Sequence, residues 1–130
     1  MTLAHQRKAV SADDIMAGNS GGFGHTRLAC TDLPFSLATI SLQPNIATRV
    51  VICWNTDPNY ANYFTAPSAD LGLRVRDPSG TVVGLADTAS NTFEVLDFTP
   101  TVGGVYSIIV RSRRCDEDPG NVAWAFWQSH

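Results

Sequence analysis

Asp70-Leu71-Gly72-Leu73-Arg74-Val75-Arg76-Asp77-Pro78-Ser79-Gly80-Thr81-Val82-Val83-Gly84-Leu85-Ala86 is the stretch that decides the fold class. Its first part alternates. Leu71, Leu73 and Val75 fall on one side of an extended chain, and Asp70, Gly72, Arg74 and Arg76 fall on the other. That period of two belongs to a strand with one face in a core. Asp77-Pro78-Ser79-Gly80 then reverses the chain, proline presetting φ and glycine standing at the closing position. Residues 81–86 return as the second arm. The stretch reads as an antiparallel hairpin with a buried face.

The same signals extend outward in both directions. Residues 105–112 follow the Gly103-Gly104 turn and place Tyr106, Ile108 and Val110 on one face; residues 121–127 do the same with Val122, Trp124 and Phe126. Upstream, residues 36–42 form a strand-like run, and Gln43-Pro44-Asn45 is a turn. Residues 48–54 are apolar on both faces, Val50, Ile52 and Trp54 on one and Val51 and Cys53 on the other. This predicts a central strand covered on two sides, with Cys53 behaving as a small buried hydrophobe. Residues 92–99 change face midway, from Phe93 and Val95 to Leu96 and Phe98, which predicts a bulge or bend. Residues 55–69, with two prolines, two tyrosines and a phenylalanine, read as a long ordered loop.

Seven runs of strand length, with no internal repeat, predict an all-β chain: an antiparallel β-sandwich of jelly-roll type with seven to eight strands. Residues 1–24 differ. Ser11 and Asp14 have the spacing of a helix start, Gly18 is placed to end it, and Gly18 to Gly24 is a Gly/Ser/Asn connector. The expected organisation is a short helix or tail and linker over 1–24, followed by a sandwich over 25–130.

Composition agrees with a folded module and excludes several function classes. Of 130 residues, 44% are hydrophobic, too many for a disordered chain. The net charge of −3 has the wrong sign for a nucleic-acid binder that relies on phosphate contacts. No apolar run approaches the roughly 20 residues of a helical membrane span. Arg7 and Lys8 are followed by Ser11, Ala12, Asp13 and Asp14 rather than an apolar stretch, so the beginning does not read as a signal peptide. Cys30, Cys53 and Cys115 match no zinc spacing; Cys30 and Cys115, both at strand edges, could pair in an extracellular chain.

Several residues tempt a chemical reading. Gly18-Asn19-Ser20-Gly21-Gly22 resembles the nucleophile loop of chymotrypsin-like peptidases, but there the serine follows a histidine and an aspartate late in a two-barrel chain, and only 19 residues precede Ser20. His5, His25 and His130 sit outside the expected core and read as solvated. Asp77 is a turn residue bonding its own backbone. Asp70, where a long loop enters a strand, has the position of a calcium ligand, since calcium takes six to eight oxygens, often from loops. Tyr60 and Tyr63 in the long loop and Trp127 in the last strand are the aromatics placed to stack on a sugar ring; Trp54 and Trp124 fall on inward positions.

From Arg49 onward the chain also resembles a known family. Arg49-Val50-Val51-Ile52-Cys53-Trp54, Pro67-Ser68-Ala69-Asp70-Leu71-Gly72-Leu73, Asp77-Pro78-Ser79-Gly80, Asn91-Thr92-Phe93-Glu94, Phe98-Thr99 and Gly104-Val105-Tyr106-Ser107-Ile108-Ile109-Val110 occur in order. Together they look like the β-sandwich that follows the catalytic domain of many subtilisin-like serine peptidases, the pre-peptidase C-terminal type. The family's Asp-Leu-Asp-Leu is Asp-Leu-Gly-Leu here, through Gly72, and its Asp-Asn ahead of the glutamate is Ser90-Asn91. Two of its carboxylates are therefore missing. No subtilase Asp, His or Ser motif is present. The resemblance implies a non-catalytic accessory domain, extracellular, that stabilises a peptidase catalytic domain in cis or trans or engages a protein or polysaccharide surface. It leaves calcium, through Asp70 and Asn91, as the possible cofactor. The competing expectation is a stand-alone carbohydrate- or surface-binding module using Tyr60, Tyr63 or Trp127.

Overall fold

The computed structural model describes residues 20–55, 69–88 and 92–129. Eight strands run in the order β1 (Ser20–Leu28), β2 (Phe35–Leu42), β3 (Thr48–Trp54), β4 (Ala69–Arg76), β5 (Val82–Ala86), β6 (Phe93–Phe98), β7 (Gly104–Cys115) and β8 (Gly120–Gln128). They form two four-stranded antiparallel sheets, β1-β8-β3-β6 and β2-β7-β4-β5. This is the jelly-roll order. β1 pairs with β8, β2 with β7, β3 with β6 and β4 with β5, as if one long hairpin had been rolled up. The β4–β5 hairpin is its tip and, among the described strands, the one connection that stays within a sheet.

The tip forms for the reasons its sequence gives. Asp77 Oδ1 accepts the backbone N–H groups of Ser79 and Thr81, each at 2.9 Å, and Gly80 adopts φ 89°. Those donors, with the Ser79 hydroxyl at 2.7 Å, hold the Asp77 carboxyl below its ordinary range. Leu71, Leu73 and Val75 point between the sheets and are fully buried, as are Val50, Ile52, Ile108, Val110 and Val122. Trp54 joins the layers: its indole Nε1 donates to the Ala69 carbonyl at 2.8 Å.

Four features differ from the sequence reading. Residues 20–24, expected within a connector, open β1, so the expected boundary at 24/25 falls inside a strand. Gly22 lies opposite Phe126 and Gly24 opposite Trp124. A Cβ on Gly24 would meet the Trp124 ring at 2.9 Å, so these glycines make room for rings. β6 carries no bulge against β3; its register runs unbroken from Thr48↔Phe98 to Cys53↔Phe93. Glu94, Leu96 and Phe98 turn toward the core, while Phe93 and Val95 are exposed. Cys53 is exposed, because its side of β3 faces away from the second sheet. Asp70, expected outward, is buried at a register shift between β4 and β7. The expected helix over 1–19 and most of the expected loop, residues 56–68, lie outside the described residues.

Candidate functional site

Three places in the fold gather side chains that chemistry could use. The first surrounds Asp70, near the end of β4 that follows the long connection. Asp70 is 4% exposed. One carboxylate oxygen lies 3.4 Å from Arg113 Nε on β7, and the other, Oδ1, is buried with no hydrogen-bond partner. Asp87, just beyond β5, reaches the same guanidinium at 3.5 Å and accepts from it through its backbone carbonyl at 3.1 Å. Its Oδ1 also has no hydrogen-bond donor. A Cβ at Gly72 would lie 2.9 Å from that oxygen. Asp87, at the end of the neighbouring strand, thus occupies the space over Gly72.

Glu94 completes the group. It is 2% exposed and accepts the Thr88 backbone N–H at 2.7 Å. Burial pushes its carboxyl above the ordinary range; the Thr88 bonds oppose the shift, and the nearby charges of Asp87 and Asp70 add to it. Arg113 thus faces two carboxylates, with Glu94 near enough to feel their charge, and the arrangement suits uptake of a positive charge, a proton or a cation. Calcium fits it incompletely. Among the described residues, no group of three or more His, Cys, Asp or Glu side chains is gathered closely enough to hold an ion. Arg113 already supplies a cation at Asp70, and Asn91, the other expected ligand, lies outside the described residues.

The second place is the outer face of the β1-β8-β3-β6 sheet. The register aligns Phe23, Ala125, Val51 and Val95 in one row across four strands, and His25, Ala123, Cys53 and Phe93 in the next. Phe23 is 65%, Phe93 50%, Trp127 42% and Val95 41% exposed. Trp127 stands between Gly21 and Arg49 and lines a hollow of about 500 Å³ with Thr48, Phe98 and Asp97. Arg49 grips Asp97 with two bonds of 2.7 and 2.9 Å. That grip holds the Asp97 carboxyl below its ordinary range. Tyr60 and Tyr63, expected beside Trp127 as binding aromatics, lie outside the described residues.

The third is covalent. Cys30 and Cys115 form a disulfide 85 residues apart in sequence. It ties the β1–β2 connection to the end of β7, and the Asp118 carboxylate receives the Cys30 backbone N–H at 2.8 Å.

Sequence reasoning did not place Asp87 or Arg113 beside Asp70, because both arrive by register between strands distant in sequence. Nor did it find Gln128. This fully buried amide accepts from Gln43 N at 2.9 Å, donates to Gln43 O at 2.8 Å and reaches Thr48 Oγ1 at 3.0 Å, locking β8 to the β2–β3 turn. The strict alternation Val122, Trp124, Phe126, Gln128 was the available signal.

The class these features define is a disulfide-tied jelly-roll β-sandwich. No family model and no characterised protein matches the chain. Among solved structures it is similar to a chain of the acid-stable capsid of Helicobacter pylori bacteriophage KHP30, with TM-score 0.46 and 10% identity, over 85% of this chain and 87% of that one. Likeness at that level says nothing of this chain's role.

Proposed function

We propose that this chain is a non-catalytic accessory domain of a subtilisin-like serine peptidase, which docks on the catalytic domain and stabilises it or helps it engage substrate. The exposed apolar rows on the outer face of the β1-β8-β3-β6 sheet carry this reading. Phe23, Phe93, Val95 and Trp127 together expose roughly 400 Å² of apolar side chain, counting a whole aromatic residue at about 150–250 Å². A patch of that size matches the largest that a typical monomer exposes, and such patches are often functional. With a rim that includes His25, Arg27, Arg49 and Asp97, the face approaches the roughly 800 Å² per partner of a stable interface. The ordered motif set from Arg49 to Val110 supplies the identity of the partner. The disulfide supports an oxidising, extracellular setting.

The test is the intact mass and N-terminal sequence of the native protein. A product much larger than this chain, carrying subtilase Asp, His and Ser motifs upstream, is the expected outcome. A free product beginning at Met1 that forms no complex with a subtilase catalytic domain overturns the reading.

A second reading has its own observation. Trp127, half exposed beside the hollow with its Arg49–Asp97 pair, suits a carbohydrate- or surface-binding module. Loss of glycan-array binding in Trp127→Ala would favour it.

A further inference from the structure

The other sheet carries a basic groove. On the outer face of β2-β7-β4-β5, the register sets Ser36, Ile109, Arg74 and Leu85 in one row. Arg76 lies two residues along β4 from Arg74, and Arg111 on β7 stands opposite Gly72, one row further on. Same-face neighbours at these offsets are roughly 7 Å apart. Three of the chain's nine Lys and Arg residues therefore crowd one side of a molecule whose net charge is −3. They line a groove of about 400 Å³ whose other wall is Pro34 and Phe35.

These cations lack counter-charges. Among the described residues, no carboxylate pairs with Arg74, Arg76 or Arg111. The Nε atoms of Arg74 and Arg76 are buried without an acceptor, and Arg76 spends one Nη1 bond on the Gly80 carbonyl at 3.3 Å. Asp87, which overlies Gly72, is engaged by Arg113. Half-buried guanidinium groups with unmet donors form a preorganised fork for an oxyanion, because the planar fork matches carboxylate and sulfate geometry.

We propose that this groove binds an acidic saccharide, one bearing uronate or sulfate groups. The arginines would take the anionic groups. Exposed Pro34 offers a flat apolar surface to the apolar face of a pyranose, while Phe35 behind it packs toward the core, and Ser36 and Ser112 line the same groove with hydroxyls for the sugar's own. An anion alone would not use that wall, and an extended acidic peptide would not need it. The inference does not depend on the accessory-domain reading, since the groove lies on the sheet opposite the apolar rows.

The test is calorimetric titration of the whole chain with a uronate tetrasaccharide, a sulfated tetrasaccharide, their neutral parent, inorganic sulfate and hexaglutamate. Expected is saturable binding of at least one acidic tetrasaccharide, none of the neutral parent, and weakening as salt is raised. Arg111→Gln should weaken it about tenfold and Arg74→Gln/Arg111→Gln should abolish it, while Arg27→Gln on the opposite sheet leaves it unchanged. If the double variant does not fold, the Arg111→Gln single variant decides, its melting temperature showing that it does. Wild-type affinity in Arg111→Gln overturns the proposal. So does equal or tighter binding of sulfate or hexaglutamate, or the absence of saccharide binding.

Discussion

Glu94 is a carboxylate that the fold holds under protest. It sits in the core-facing row of β6 with Leu96 and Phe98, next to Asp70 and Asp87, and its carboxyl is raised chiefly by burial. A raised folded-state pKa means the native protein binds this proton more tightly than the unfolded chain does. The resulting stabilisation is complete below the ordinary glutamate range and is lost as pH rises through the folded-state value. Glu94→Gln keeps an acceptor for the Thr88 N–H and removes the charge. It should match the wild type near pH 4 and melt about 3–5 °C higher at pH 7–8, corresponding to about 1 kcal/mol for replacing a poorly compensated buried charge. Circular-dichroism melts across that range check this; a gain that is constant with pH would show that the carboxyl titrates normally. Gly72 gives a second prediction at this scale. Gly72→Asp places a side chain on Asp87 Oδ1 and adds a third carboxylate beside Asp70 and Asp87 near one guanidinium. The variant should be destabilised by about 1–3 kcal/mol in urea unfolding, and calcium should recover part of that loss if the added carboxylate completes an ion site with Asp70 and Asp87.

At the scale of elements, what the sequence made legible was whatever depends on period and turn chemistry. The hairpin at 70–86, the inward rows of β7 and β8 and the turn at Asp77 follow from local alternation and from residues that set their own φ. The parts that were not legible depend on which strand lies alongside. Gly22 and Gly24 look like linker residues until Phe126 and Trp124 are set opposite them. Cys53 looks buried from the apolarity of β3, yet its face has no second layer among the described residues. Glu94 looks outward beside Phe93 and Val95, and the unbroken β3–β6 register turns it inward. Of the candidate site, Asp70 and Trp127 were visible; Asp87, Arg113 and the arginine groove were not, because register across three strands assembles them. The disulfide acts at this scale too. It closes a loop of 85 residues, and the chain-entropy account assigns such a closure about 4–5 kcal/mol. Cys30→Ser/Cys115→Ser should lose stability of that order in urea unfolding, and a loss under 1 kcal/mol would mean that the nested strand pairing alone restrains the unfolded chain's loop.

At the scale of the whole molecule, the rolled hairpin gives its two outer faces different chemistry. One sheet presents Phe23, Val51, Val95 and Phe93 in adjoining rows, with the Cys53 thiol among them. The other presents arginines beside exposed Pro34. The two faces lie on opposite sides of a shared core, so a partner on one leaves the other open. The consequence is a double dissociation. Cys53 is the reporter for the apolar face: in the isolated chain its exposed thiol should react with a maleimide as freely as an unfolded cysteine, and in complex with a subtilase catalytic domain it should be protected at least tenfold. Val95→Glu places a charge in the middle of the apolar rows and should restore reactivity while leaving saccharide titration unchanged. Arg111→Gln should weaken saccharide binding while leaving Cys53 protected. If Val95→Glu disturbs both readouts together, the faces are coupled through the core and the division between them fails. If Cys53 stays reactive with the catalytic domain present, that domain docks elsewhere or not at all, and the arginine groove remains as the molecule's binding surface.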